Sequence, residues 1–478
     1  MYFLYNALLA AAMVLSLPFW LWKMLRVGKY RTGLAERLGL VPKRMVRGDG
    51  QAIWIHAVSV GEVIAVTGLV EELRRRHPRV EVFISTTTAT GQKIARSRFG
   101  AERVFFFPLD FGFAIHRWLK VLRPSLVVMA ETEFWPNFLR LAKASGAKVA
   151  VVNARISDRS LPGYMRWRRW LRPVLGTVDF FLAQSVTDAA RLVAIGAPAE
   201  RVQVSGNLKF DAQPPSARGF AEALRTRFLA AEASPVLVCG STTAAPDNVA
   251  GNNAANVAVN FANTIPKNEE QILLAAFAEV LREFPAAVMI LAPRHPERFA
   301  EVAAMIAATA FRFWRRSHLE PDAILRGGVL LLDSVGELAA VYSYATIAFV
   351  GGSLVARGGH NILEPAHFGI PIIVGPHTEN FRDIVMLFEM NDAVRVVGKT
   401  SDGGNADFNS VDAIAKKLAE VWLNLLRDGT LAELGLRGQQ TLRQHRGATA
   451  RTVLALEALA GLKAVSQTQS TELQGVAE

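Results

Sequence analysis

Short apolar runs that alternate with helix-period stretches are the feature that most restricts how this chain folds. Ala52-Ile-Trp-Ile-His-Ala-Val58 is one such run. It passes through Ser59-Val60-Gly61 into a stretch whose Val63, Val66, Leu69, Val70 and Leu73 share one helical face. Similar runs follow at Val80–Ser85, Arg103–Phe107, Leu126–Met129, Lys148–Val152, Phe180–Ala183 and Val202–Ser205. Strands this apolar are buried on both faces, and helices between them imply a parallel sheet covered on each side. A second series begins at Val236–Cys239 and continues with Ala287–Ala292, Gly328–Leu332, Ile347–Val350 and Pro371–Val374. The pattern predicts an α/β protein of two doubly wound, Rossmann-like domains, with ligands at strand C-terminal ends facing a cleft between them. A length of 478 residues suits two such cores.

The expected division is a membrane anchor at 1–22, a basic segment at 23–50, a first domain at 51–210 and a linker at 211–234. A second domain follows at 235–464, interrupted by an Ala/Asn-rich insertion at 244–267, and a disordered tail occupies 465–478. The anchor reading rests on a nearly uninterrupted apolar run of about bilayer-spanning length, with Tyr2 and Phe3 at one end and Phe19, Trp20 and Trp22 at the other. Eight cations (Lys23, Arg26, Lys29, Arg31, Arg37, Lys43, Arg44, Arg47) against the single acid Glu36 come next, and they would hold that side in the cytoplasm. A cleaved signal peptide fits less well, because no cation precedes the apolar run and no small-residue cleavage site precedes the basic one. Pro18 leaves open a kinked helix lying at the membrane surface.

Hydrophobic residues make up 51% of the chain and charged residues 20%, which excludes a disordered class. The net charge of +12 favours anionic partners. The cations cluster beside the anchor and no nucleic-acid-binding motif occurs, so membrane anionic lipids are expected rather than nucleic acid. The lone Cys239 can form neither an internal disulfide nor a cysteine zinc site.

Chemistry is expected at the turns that follow the strands. In Ser59-Val60-Gly61-Glu62, a carboxylate at the mouth of the sheet can accept a proton from an attacking hydroxyl. The same acid could simply suit the first turn of a helix. Glu131-Thr-Glu133-Phe-Trp-Pro-Asn137 places two acids past a strand end, where burial of even one is costly. Lys209, in Gly206-Asn-Leu-Lys-Phe-Asp211, could neutralise an anion or remain solvated. Arg294 and His295, within Ala292-Pro-Arg-His-Pro-Glu-Arg298, suit an anionic or heteroaromatic ligand. Val335-Gly336-Glu337 is another strand-to-helix turn with amides to offer a phosphate. The most distinctive stretch runs from Phe349 to Pro365. There Gly351, Gly352, Gly358 and Gly359 permit close backbone approach to a ligand, a helix opening near Asn361 would point its amides at a phosphate, and Glu364 can reach ribose hydroxyls. No Asp-x-Asp, HExxH, Walker A or G-x-G-x-x-G motif is present, so a metal-independent reaction is the default.

Taken together, these residues resemble the 3-deoxy-D-manno-octulosonic acid (Kdo) transferases of lipopolysaccharide assembly. The resemblance is carried by SVGE at Ser59–Glu62, ETEFWPN at Glu131–Asn137, NARISDRS at Asn153–Ser160 and GNLKFD at Gly206–Asp211. PRHPERF at Pro293–Phe299, FVGGSLVARGGHNILEPA at Phe349–Ala366 and GPHTENF at Gly375–Phe381 complete it. It implies a GT-B fold and a metal-independent, inverting transfer of Kdo from CMP-Kdo to a lipid A precursor, at the cytoplasmic face of the bacterial inner membrane. No cofactor beyond the donor substrate is implied. Glu62 matches the family's proton acceptor, and Glu131 and Lys209 match positions that stabilise the transition state. Pro293, Arg294, His295, Val335, Gly336, Glu337, Asn361, Ile362, Leu363 and Glu364 match the CMP contacts. One departure stands out: where the family has Ser-Thr-His-x-Gly-Glu-Glu, this chain has Ser241-Thr242-Thr243, the insertion, and only then Glu269-Glu270. The expectation is a displaced glutamate pair and an altered donor loop. Two alternatives remain at this point: another GT-B nucleotide-sugar enzyme acting on a lipid acceptor, or an inactive lipid-binding scaffold.

Overall fold

The computed structural model describes residues 2–27, 32–45, 48, 50–212, 218–245, 268–398 and 410–462. The tail read at 465–478, nearly all of the insertion read at 244–267, and residues 213–217 of the linker lie outside the described residues. The chain forms two compact units, Met1–Gln213 together with His445–Glu478, and Pro214–Gln444.

The first unit is built on seven strands: β1 (Ala52–His56), β2 (Glu81–Thr86), β3 (Val104–Phe106), β4 (Leu126–Ala130), β5 (Lys148–Ala154), β6 (Phe180–Ala183) and β7 (Val202–Val204). They pair in parallel in the order β3-β2-β1-β4-β5-β6-β7. The order reverses between β1 and β4, and ligands bind at such a reversal, past the strand C-terminal ends. Every residue of β1 is buried. Trp54 anchors one face, with its ring 4.7 Å from Phe138 and 5.2 Å from Phe105, and its indole donates to Ser85 Oγ at 2.8 Å. Cutting Trp54 back to Ala would remove about 3–5 kcal/mol.

The helix Val60–Arg76 covers the other face of the sheet, burying Val63, Val66, Leu69, Val70 and Leu73 as the periodicity predicts. Its own cover comes from an unexpected quarter. The second domain was expected to run to residue 464, yet the helix Ala448–Ala460 returns to the first unit. Val453 and Leu456 join Val66 and Leu69 in one core cluster. Glu457 takes a two-pronged bond from Arg76 (2.8 and 2.9 Å) and contacts His77 Nε2 at 2.6 Å, while Asp211 accepts from the amides of Gly447 and Thr449. An apolar helix face needs burial, and the last helix supplies it.

The second unit has β8 (Val236–Thr242), β9 (Val288–Pro293), β10 (Arg312–Arg315), β11 (Gly328–Leu331), β12 (Ile347–Val350), β13 (Ile372–Val374) and β14 (Arg395–Val396). All pair in parallel in the order β10-β11-β9-β8-β12-β13-β14, so this sheet reverses between β8 and β12. The two edge strands, β10 and β14, were not expected. Helices Glu269–Glu283 and Val411–Arg427 pack on the sheet, with Phe277, Leu418 and Trp422 fully buried between them. Cys239 is buried in β8.

The N-terminal run forms one helix, Tyr2–Val27. Among the described residues it is the helix long and apolar enough to cross a membrane, over Tyr2–Trp20. Part of the basic segment packs on the protein instead of facing lipid. Arg44 pairs with the buried Glu36 at 2.7 Å, Glu36 accepts from the amide of Phe106, and the Arg37 guanidinium lies 4.7 Å from the centre of the Phe106 ring.

Candidate active site

In the first unit, β1 leads into its helix through Ser59, whose hydroxyl oxygen accepts from the Glu62 amide at 3.4 Å. The Glu62 carboxylate reaches back in return. One oxygen accepts from the Val58 amide and the other from the Ser59 hydroxyl, both at 2.8 Å. This is a capping box of the Ser-x-x-Glu kind, so Glu62 does occupy the structural role of a first-turn acid. It is also 8% exposed, at the sheet's reversal point. Burial pushes its carboxyl up to about 7, and the neighbouring Glu131, with a smaller part from Glu133, adds to this. The Val58 and Ser59 donors oppose the rise.

Glu131 follows β4 directly and holds a left-handed backbone (φ 58°), with its amide donating to Val152 O at 2.9 Å. A residue with a Cβ holds that conformation only where its surroundings impose it. Lys209 Nζ lies 3.4 Å from the Glu131 carboxylate. Glu133 turns to the Trp135 indole (2.9 Å), and burial raises its carboxyl. Asn153, also left-handed (φ 54°) and fully buried, ends β5. Its side-chain oxygen accepts from the Leu208 amide at 3.0 Å, and Asn207 accepts from the Lys209 amide at 3.0 Å. These two asparagines fix the turn Leu208–Asp211 that presents Lys209 to Glu131. Beside Glu131 a cavity of about 130 Å³ is lined by Thr132, Arg155, Ser157, Ser160 and Tyr164. The three residues predicted to be catalytic, Glu62, Glu131 and Lys209, therefore form one electrostatic group. Elsewhere on this unit Trp167 and Trp170 are exposed beside the exposed Arg166, Arg168, Arg169 and Arg172.

In the second unit, Pro293 is buried at the end of β9, and the next amide, of Arg294, donates to Thr242 O at 2.9 Å. Arg294 and His295 themselves are exposed. The Arg294 charge acts on Glu364, Tyr342 and His360. Burial raises the Glu364 carboxyl, while the Asn361 amide (3.4 Å) and Arg294 favour its ionised form. Asn361 also accepts from the Leu363 amide at 3.2 Å. Ile362 and Leu363 are buried, so only their backbone is available to a ligand. His360 is held down to about 4, by burial first and then by Arg294 and His295, which keeps it neutral at pH 7. Val335 is exposed and Gly336 is left-handed (φ 93°). The Glu337 carboxylate beside them is held by Arg316 through two bonds of 3.0 and 2.9 Å. The Val335–Glu337 turn is thus organised by partners other than those of Arg294.

Two readings of this unit change. The glycine-rich stretch was expected to bring its backbone close to a ligand, but at its start the amides are taken by an internal acid. The wholly buried Glu269 accepts from Gly352 and Thr243 on one oxygen (2.7 and 2.9 Å) and from Ser353 and Leu354 on the other (2.9 and 2.8 Å). Gly351 makes room for this: a Cβ there would lie 2.6 Å from Ser241 O and 2.8 Å from the Glu269 carboxylate. The glutamate pair was also expected to be displaced by the insertion. Ala244 and Asn268 instead form an antiparallel bridge that closes its base, returning Glu269 and Glu270 to the Ser241–Thr243 turn. Glu270 holds the Thr242 hydroxyl and the guanidinium of Arg298, at 2.7 and 3.0 Å from the latter.

Residue-by-residue reading had missed Asn153 as a support of the site, Glu269 as a clamp, and Tyr342, whose hydroxyl sits where a side chain on Gly240 would be. A polar Asn ending an apolar strand was the available signal for Asn153. Nothing local marked Tyr342.

Two parallel sheets of seven strands, each reversing beside acidic or glycine-rich turns, define a nucleotide-sugar-type fold of the GT-B class. The fold is shared with UDP-GlcNAc 2-epimerase from Neisseria meningitidis, crystallised with UDP-GlcNAc. The TM-score is 0.51 at 12% identity, over 85% of this chain and 99% of that one. The sequence narrows the class. A family model for 3-deoxy-D-manno-octulosonic-acid transferase (kdotransferase) matches residues 32–212. The 3-deoxy-D-manno-octulosonic acid transferase of Haemophilus influenzae is 33% identical over 94% of this chain and 96% of its own length. That of Bordetella pertussis is 34% identical over 76% of this chain and 81% of its own. The chain belongs to the 3-deoxy-D-manno-octulosonic acid transferase family.

Proposed function

We propose that this transferase moves Kdo from CMP-Kdo to a lipid A precursor of the tetra-acylated kind, with inversion and without a metal, at the cytoplasmic face of the bacterial inner membrane. Glu62 carries the reading. It is a carboxylate at the sheet's reversal point, raised to about 7 and so partly ionised at neutral pH, with a second acid, Glu131, acting on it and Lys209 beside that acid. An acceptor hydroxyl oxygen forms the new bond to the anomeric carbon of Kdo, and its proton passes to Glu62. The bond from that carbon to the CMP phosphate oxygen breaks, and CMP leaves with the electron pair. Glu131 faces positive charge developing on the sugar, and Lys209 holds Glu131 or the sugar carboxylate. On the second unit, Arg294 and His295 neutralise the leaving phosphate, Glu364 and Asn361 hold the ribose, and the backbone at Pro293, Val335–Glu337 and Ile362–Leu363 completes the CMP site. No cofactor beyond the donor enters this scheme. The exposed arginines and tryptophans at 166–172 suit the acceptor's phosphates and the anionic lipids around it.

The test is product mass from purified protein, CMP-Kdo and a tetra-acylated lipid A precursor. Stepwise addition of Kdo, together with heat protection by CMP and not by UDP, is the expected result. Protection by UDP alone, or no product, removes the proposal.

A further inference from the structure

Lys209 lies in the turn Leu208–Asp211, and a long side chain on a short turn is only as well placed as the turn itself. Asn153 and Asn207 hold one side of it. The other side is held from 236 positions away. One Asp211 oxygen accepts from the Gly447 amide at 2.7 Å and the other from the Thr449 amide at 2.6 Å. Those amides open the helix Ala448–Ala460, whose N-cap is Gly447 and so brings no capping side chain of its own. Amides at a helix start need an acceptor, and a carboxylate there also suits the helix dipole. Asp211 supplies both from a distant part of the chain.

The neighbours of Asp211 lean on the same segment. The Ser205 carbonyl accepts from Arg451 Nε at 2.8 Å. A Cβ on Gly206 would lie 3.2 Å from that of Ala448 and 2.9 Å from Arg451 Nη2, so the backbone there runs directly against the helix. Leu208 shares a core cluster with Ala448, Val453 and Leu456, and the Phe210 ring lies 5.4 Å from that of His445. Between Leu208 and Phe210, Lys209 turns the other way, to Glu131 at 3.4 Å. That contact is at the long end of hydrogen-bonding range, so a shift of the turn by about 1 Å dissolves it.

We propose that Asp211 is a positioning residue: by capping the last helix it fixes where Lys209 stands against Glu131. Its effect on catalysis rests on the role proposed for Lys209 above; its effect on geometry does not. In the test, lysines are converted to 13C-dimethyl-lysine, which keeps their charge, and the Lys209 signal is identified by its loss in Lys209→Arg. With Asp211 present, that signal should move on Glu131→Gln. Asp211→Asn keeps the shape but offers one oxygen to two amides, so the signal should shift and stop responding to Glu131→Gln. Arg451→Met, at an exposed side chain, should shift it the same way by less. Glu457→Gln loosens the far end of the same helix, at Arg76 and His77, and should lower the unfolding temperature without moving the signal. An unchanged signal in Asp211→Asn (or in Arg451→Met, should the first variant not fold), or an equal shift in Glu457→Gln, overturns the proposal. In turnover, Asp211→Asn should lower kcat about tenfold or more and leave both KM values within about twofold. Added to Lys209→Met, it should cost nothing further; the same loss in both backgrounds also overturns the proposal. Full activity of Lys209→Met would instead remove the catalytic role of Lys209, and the methyl signal would still decide whether Asp211 holds it in place.

Discussion

Glu62 and Glu269 are the same residue in nearly the same local setting, and their surroundings suit them to opposite jobs. Each sits in the first turn of a helix at the reversal point of its own sheet, and burial pushes each carboxyl up to about 7. Glu269 has no exposed surface, and both its oxygens are filled by four backbone amides. Glu62 keeps 8% exposure, has one amide and one hydroxyl as donors, and faces a second acid. A shifted titration marks burial in both cases. Acceptor capacity left over for a substrate proton separates the proposed base from the clamp.

The largest test of this contrast is Glu62→Gln, which should lower kcat by about 10²–10⁴-fold. It should leave the protein as stable as before, or more so, at pH 8. The sign follows from linkage: with a folded pKa of about 7, above the unfolded value, the folded chain holds the extra proton between about pH 4.5 and 7. This group's favourable contribution is thus present at low pH and lost as pH rises through 7, and Gln removes that loss. Calorimetry at pH 5 and 8 alongside turnover checks both parts. Next, Glu269→Ala should cost about 3–5 kcal/mol in denaturant unfolding, because it strands buried amides in the second unit. A variant of full stability but no activity would break the contrast. Third, kcat/KM should fall about tenfold per pH unit below 7 and level off above it. In Glu131→Gln that acidic limb should move to lower pH, since a like charge near Glu62 is gone. The smallest effect concerns the insertion. Replacing residues 246–267 with a short Gly-Ser turn should change stability by under about 1 kcal/mol and leave kcat/KM unaltered, because the Ala244–Asn268 bridge already closes the base.

The interior strands were legible because burial on both faces leaves nearly unbroken apolar runs such as Leu126–Met129. The edges were not. β10 and β14 carry Arg312, Arg315 and Arg395, and charge on an edge guards against pairing with other chains while erasing the apolar signal. At the site, the acids and glycines stood out at strand ends, but pairing did not: Lys209 and Glu131 lie 78 positions apart and meet only through the sheet. Family resemblance supplied that pair where local spacing favoured a solvated lysine. The insertion misled for a related reason. Distance along the chain between Thr243 and Glu269 looked like separation, whereas a two-residue bridge makes them neighbours.

The return of the helix Ala448–Ala460 to the first unit has a consequence for biosynthesis. Residues 214–444 are translated between the two parts of that unit. At 5–20 residues per second, the apolar back of Val60–Arg76 waits roughly 20–75 s on the ribosome for its cover. A chain truncated just before residue 448 would carry every proposed catalytic side chain and still lack a finished first core.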